Sequence, residues 1–250
     1  MTDSLSLGDK LAVVTGAAGT MGRAAAAALR RDGCRLVLID IDARALDAVA
    51  ETLGGDALRV ACDISDPLAV AGAADRIRTS AGDPDILVNN AGILSNHKLQ
   101  QTPFNEWRRV LAVNLDGAFL LSQQFVPAMK ARRWGRIVNT CSLAAKTGGL
   151  TAGTAYAVSK GALTSLTFSL ARELAPHGVT ANGISPAYVK TPMITEQLTE
   201  AQRQALLRDI PVGRFCEPEE FAHVVSFLAS PLAGFITGEI VDLNGGLVMD

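Results

Sequence analysis

A chain of 250 residues with 48% hydrophobic content can bury a sizeable core, arranged as one large α/β domain or two small ones. A formal charge of −2 supplies no general field for nucleic acid or an acidic membrane surface. The four cysteines are widely spaced without a C-x-x-C, and the three histidines form no ligand pair, so no metal site is expected and a reduced cytosol suits the chain.

The opening "MTDSLSLGDK" lacks the basic and apolar regions of an export signal. Next comes "LAVVT", Leu11 to Thr15, a short apolar run that reads as a buried strand. It runs straight into "TGAAGTMG", Thr15 to Gly22, and then into an alanine-rich helical stretch from Met21 to Asp32. Glycines 16, 19 and 22 in such a strand–turn–helix permit a tight turn and close approach of a pyrophosphate to backbone N–H groups. Glycine-rich turns are common, so the motif takes its weight from its place between strand and helix. It has no Gly-Lys-Ser/Thr ending, which argues against a nucleoside triphosphatase loop.

The second strand, "RLVLI", Arg35 to Ile39, leads to Asp40. A carboxylate at that edge can accept hydrogen bonds from an adenosine ribose and repel a 2′-phosphate, or it can simply cap the next helix, Ala43 to Leu53. Further strands are read at Leu58 to Ala61, Asp85 to Asn89, Arg136 to Thr140, Val179 to Ile184 and Glu239 to Leu243. Helices are read at Asp66 to Ala81, Phe104 to Arg132 and Tyr156 to Ala175. The apolar run Val110 to Met129 is broken by Asn114, Asp116, Gln123 and Gln124, so no membrane span is expected. The basic cluster Arg132-Arg133-Trp134-Gly135-Arg136 is read as a solvated helix end. Alternating strands and helices predict a Rossmann-type doubly wound parallel sheet of about seven strands with helices on both faces. With no linker to divide it, the whole chain, 1–250, is expected to be one dinucleotide-binding and catalytic domain. Prolines 186, 192 and 211 punctuate an irregular segment, 186–214, suited to a substrate loop.

"AYAVSK" holds one of only two tyrosines, Tyr156, four positions before Lys160. On a helix the two share a face, close enough for the ammonium to act on the phenol and make it a proton carrier. The same spacing also describes an ordinary amphipathic helix with a snorkelling lysine, and the pair alone does not choose.

Taken in order, "TGAAGTMG", "CDI" at Cys62 to Ile64, "NNAG" at Asn89 to Gly92, "VNL" around Asn114, "CS" ending at Ser142, "YAVSK", "ISPAYVKTP" and "FITGEIVDLNGG" resemble the short-chain dehydrogenase/reductase family over nearly the whole chain. The resemblance implies that Tyr156 exchanges a proton with the substrate oxygen and that Ser142 hydrogen-bonds the same oxygen. It implies that Lys160 holds the nicotinamide ribose and lowers the tyrosine pKa, and that Asn114 anchors a water leading to Lys160. The glycine loop, with Gly16, Gly19, Thr20, Met21 and Gly22, would cradle the pyrophosphate. Asp63 and Ile64 would contact adenine, Asn90 in the run ending at Gly92 the ribose, and Val189 with Thr191 the nicotinamide amide and a phosphate.

Thr20 stands where the family usually has glycine, Ala187 replaces the glycine of the usual Pro-Gly, and the span from Ser142 to Tyr156 is one residue longer than the pattern. The expectation is an NAD(H)-linked oxidoreductase that interconverts a secondary alcohol and a ketone, assembled as a homo-oligomer, a tetramer first, with no nucleic-acid or membrane partner. The alternatives are a 3-oxoacyl thioester reductase and a cofactor-binding regulatory protein without catalysis. The substrate pocket is expected near Leu94, Ala144 to Leu150, Tyr188 and residues 192–210.

Overall fold

The computed structural model describes residues 7–192 and 199–249. Residues 193–198 of the predicted substrate loop therefore lie outside the described residues. Seven strands form one parallel sheet: β1 (Leu11–Thr15), β2 (Arg35–Asp40), β3 (Leu58–Ala61), β4 (Ile86–Asn89), β5 (Gly135–Thr140), β6 (Val179–Pro186) and β7 (Ile240–Leu243). Their spatial order is β3-β2-β1-β4-β5-β6-β7, with Val13 opposite Val37 on one side and Leu87 on the other. Strands covered on both faces are nearly continuous apolar runs, and all five residues of β1 are buried.

The predicted helices form because their apolar residues recur on one face. On one side α1 (Thr20–Arg31), α2 (Ala43–Thr52) and α9 (Pro218–Ala229) bury Leu29, Leu46, Phe221 and Val225 against Val14 and Leu38. On the other, α3 (Pro67–Ala81), α5 (Gly117–Arg132) and α7 (Thr154–Leu174) bury Ile77, Phe125 and Leu174 against Val13 and Leu87. No described helix is long and apolar enough to cross a membrane. Smaller helices are α4 (Phe104–Leu111), α6 (Ala144–Thr147) and α8 (Glu200–Asp209).

Two readings need correction. The single helix expected from Phe104 to Arg132 is α4 and α5 joined by a π-helical turn, Ala112–Asp116. The wider turn brings Asn114 inside, where its side-chain amide bonds to the backbone of Ile93, and periodicity does not register one extra residue in a continuous helix. The basic cluster is also not all solvated. Arg136 lies in β5, is only 3% exposed, stacks on Trp134 with 4.6 Å to the ring centroid, and donates to the carbonyls of Gly135 and Ser230. Aromatic stacking and carbonyl acceptors stand in for water around that guanidinium.

The strand order reverses between β1 and β4. In an open α/β sheet the loops beyond the carboxyl ends of the strands diverge there and leave a crevice.

Candidate active site

The turn after β1 is built around missing side chains. Gly16 has φ +62°, and a Cβ there would lie 2.8 Å from Ala91 Cα. A Cβ on Gly22 would lie 2.1 Å from the Gly16 carbonyl oxygen, so the first turn of α1 can pack this tightly only without one. Asn90 braces the same turn: its side-chain nitrogen donates to the carbonyls of Thr15 (3.0 Å) and Gly16 (3.3 Å). The Thr15 hydroxyl accepts from the backbone N–H groups of Asn90 and Ala91. Gly19 is the N-cap of α1 and no side chain caps that helix, so the N–H groups of its first turn face the crevice uncapped. This cradle fits the pyrophosphate of a dinucleotide.

Asp40 ends β2 beside that turn. One carboxylate oxygen accepts from the N–H of Ala18 at 2.9 Å, the other from Asp42 at 3.2 Å. The helix-capping alternative for Asp40 falls away, because Asp42 is the N-cap of α2 and accepts from Arg44 and Ala45. Asp63 is held by Ser65 and Arg109, which keep its carboxyl below the ordinary range, the Ser65 hydroxyl most of all. Ile64 is buried, and its side chain takes the space that a Cβ on Gly117 would need.

On the other side of the crevice, Ser142 follows β5 and Tyr156 and Lys160 lie on the first turns of α7. All three line one cavity of about 470 Å³ with Asn90, Gly92 and Met21. Lys160 is 3% exposed, donates to the Thr140 carbonyl at 2.6 Å, and lies 5.8 Å from the centroid of the Tyr156 ring. Burial lowers its pKa to about 8. Burial pushes the Tyr156 phenol up, while a hydrogen bond with Ser142 pulls it the other way. The expected downward shift of the tyrosine by Lys160 is thus not what this surrounding produces. Burial is the largest cause of that rise, and Lys160 is not among the groups that shift the phenol.

Asn114 lies beneath the pair. Its side-chain oxygen accepts from Ile93 N–H at 2.8 Å, and its nitrogen donates to the Ile93 carbonyl and to the Ser159 hydroxyl, each at 3.0 Å. Ser159 in turn donates to the Tyr156 carbonyl at 2.8 Å, so the π-turn is tied to α7. Gly92 gives the necessary clearance: a Cβ there would lie 3.2 Å from the Asn114 side-chain oxygen and 3.4 Å from the Lys160 nitrogen.

The cavity continues past Leu94, Ala144, Thr147, Leu150 and Tyr188 to Leu206 on α8, where the substrate pocket was expected. Val189 and Thr191 also line it. Val189 pairs with Cys216 in an isolated parallel bridge, and Tyr188 packs edge-on against Phe215, which anchors the start of the irregular segment. Asn96 and Lys98 went unnoticed in the sequence. Asn96 lines the cavity, and Lys98 holds one of its walls through carbonyl groups that no residue pattern announces. Among the described residues, no group of three or more His, Cys, Asp or Glu side chains could hold a metal ion.

A family model described as Enoyl-(Acyl carrier protein) reductase matches residues 16–248. The chain is 39% identical over 249 residues to a 3-oxoacyl-[acyl-carrier-protein] reductase, FabG, of Pseudomonas aeruginosa, covering 98% of this chain and 100% of the relative. A structure from Beutenbergia cavernae, provisionally assigned as an NAD(P) dependent gluconate 5-dehydrogenase and holding NADP at low occupancy, superimposes with a TM-score of 0.90 at 35% identity, covering 97% of this chain and 98% of that one. A short-chain type dehydrogenase/reductase from Mycobacterium marinum gives 0.91 at 32% identity, covering 98% of each.

Proposed function

The chain belongs to the short-chain dehydrogenase/reductase family of oxidoreductases, and we propose that within it this protein interconverts a secondary alcohol and a ketone with a preference for NAD(H). The observation that carries the reading is the meeting of Ser142, Tyr156 and Lys160 in one cavity that is also lined by Met21, from the first turn of the helix that follows the glycine cradle.

When bound, the nicotinamide supplies or accepts hydride. Backbone N–H groups around Gly19 to Gly22 would hold its pyrophosphate, Asp40 the adenosine ribose, and Lys160, Val189 and Thr191 the nicotinamide end. The protein's own part is the proton. With its pKa raised by burial, Tyr156 is protonated at neutral pH, the form needed to donate to a ketone oxygen in the reducing direction. In oxidation the phenolate takes the alcohol proton, so that direction gains as pH rises. The Ser142 hydroxyl donates to the same substrate oxygen and steadies the charge that develops there. Lys160, pinned by the Thr140 carbonyl, keeps a positive charge near the phenol below pH about 8.

Asp40 supports the NAD(H) preference because a 2′-phosphate would meet a carboxylate there; the Gly16-Ala17-Ala18-Gly19 turn contains no basic residue, and the Arg23 guanidinium beside it is held on the Ala18 carbonyl at 3.2 Å. A 3-oxoacyl thioester reductase is the second reading, favoured by the Pseudomonas relative's activity. The intact set of Asn114, Ser142, Tyr156 and Lys160 argues against a purely regulatory protein. Initial rates with NADH and NADPH against ketones, secondary alcohols and 3-oxoacyl thioesters test all of this. Higher kcat/KM with NADPH removes the cofactor preference, and higher kcat/KM with thioesters favours the second reading. No turnover with any of them removes both.

A symmetric homotetramer is part of the proposal. Phe119 on α5 and Val158 and Phe168 on α7 are exposed, and apolar faces of this kind suit pairing across a two-fold axis. Light scattering that finds only monomers at micromolar concentration rejects it. All four cysteines are free thiols, in keeping with the proposed cytoplasmic location.

A further inference from the structure

We infer that Lys98 is a positioning residue that sets substrate selectivity, by tying the carbonyl oxygens of Gly149 and Ala152 and thereby fixing the cavity wall formed by Leu150, Thr151 and Ala152. This rests on the alcohol–ketone reading for the identity of the ligand, and on the following geometry for the wall itself.

The loop between Ser142 and Tyr156 turns through two consecutive glycines with positive φ, Gly148 at +69° and Gly149 at +81°. Such a turn leaves carbonyl groups without strand or helix partners. Two of them, on Gly149 and Ala152, converge on the Lys98 ammonium at 2.6 Å each. Hydrogen bonds from a charged donor are shorter and stronger than neutral ones, and one ammonium can serve both carbonyls. Among the described residues Lys98 makes no ion pair, so its charge is directed to this loop.

The support under Lys98 is continuous. Glu106 on α4 accepts from the Ser95 hydroxyl and bonds the His97 ring at 2.7 Å. The backbone carbonyls of Ser95 and His97 accept from Gly153 (2.6 Å) and Thr154 (3.1 Å), the residues that open α7. Thr102 donates from its hydroxyl to the carbonyls of His97 and Lys98, each at 3.0 Å. Segment 95–98 is thus bonded on one side to α4 and on the other to the loop and to the helix that carries Tyr156. Main-chain bonds at Gly153 and Thr154 locate the helix, whereas among the described residues the Lys98 ammonium is the donor to the Gly149 and Ala152 carbonyls. Loss of Lys98 should therefore loosen the wall without moving the tyrosine.

The test uses the full chain as wild type, Lys98→Met and Lys98→Arg, each saturated with NAD⁺ so that a ketone binds without reacting. Calorimetric titration with acetone and with acetophenone reads selectivity, NADH fluorescence titration reads the cofactor site, and hydrogen exchange reads the amides of residues 149–153. In Lys98→Met, acetophenone affinity should fall about tenfold or more relative to acetone, NADH affinity should stay within about twofold, and exchange should rise in the loop. Lys98→Arg, whose fork can serve both carbonyls, should restore the ratio. An unchanged acetophenone-to-acetone ratio, or equal loss of both ketones and NADH, overturns the assignment. If the wild type binds neither ketone, the alcohol–ketone reading fails on its own, and the loop amides decide Lys98: unchanged exchange in Lys98→Met overturns the clamp, raised exchange upholds it.

Discussion

The glycine turn after β1 and the corner formed by Ser142, Tyr156 and Lys160 face the same crevice but are made of different materials. At the turn the groups proposed to work are backbone N–H donors, and the side chains matter by being absent: Gly16 and Gly22 admit no Cβ without displacing main chain. At the corner the working groups are side-chain atoms, and burial tunes them, lowering Lys160 and raising Tyr156. A site made of backbone fails through sterics and so loses binding and stability together. A site made of side chains loses chemistry while its shape survives.

That contrast is most exposed to failure at Tyr156. Tyr156→Phe keeps the ring and its packing and removes the exchangeable proton, so single-turnover hydride transfer should fall by about 10²–10⁴ while NADH binding persists. Near-normal turnover in a folded variant would mean that the tyrosine is not the acid. Gly22→Ala should do the reverse. Its methyl must displace the Gly16 carbonyl, which costs about 1–3 kcal/mol in denaturant unfolding, and NADH affinity should drop with it. A Gly22→Ala protein with wild-type stability and affinity would remove the backbone account.

Asp40→Asn sharpens the difference, because Asp40 is a side chain that accepts directly from a backbone N–H of the cradle turn, that of Ala18. The amide still accepts from Ala18 but no longer repels a phosphate, so the NADPH-to-NADH ratio of kcat/KM should rise about tenfold. No change in that ratio would show that the carboxylate does not set the preference.

The last effect is a slope. Lys160 titrates at about 8 in the folded chain against an ordinary value of 10.5, so between those values the unfolded chain binds more protons and folding stability gains as pH rises. The difference in stability between wild type and Lys160→Met should therefore shift in favour of wild type from pH 8 to about 10, as read by denaturant unfolding. The same substitution should weaken NADH binding and move residual alcohol oxidation to higher pH. A difference that stays flat across the window would mean that folding does not lower the Lys160 pKa.

The alternation of apolar runs with helical stretches determined the parallel sheet, because a strand covered on both faces is a nearly continuous apolar run and a covering helix is apolar on one side. The glycine spacing and the Tyr156–Lys160 step were legible for a similar reason: a turn without room for Cβ atoms, and a pair sharing one helical face, each demand particular residues at particular intervals. Only the tertiary structure decided the rest. The π-turn that brings Asn114 to Ile93 and Ser159 conserves the outline of a helix, so hydrophobic periodicity passes over it. Arg136 looked like one more surface charge because its stacking on Trp134 depends on a strand and on carbonyls of residues far along the chain. Lys98 left no pattern at all: its partners are main-chain oxygens, which every residue carries, and only folding decides which of them converge on one ammonium.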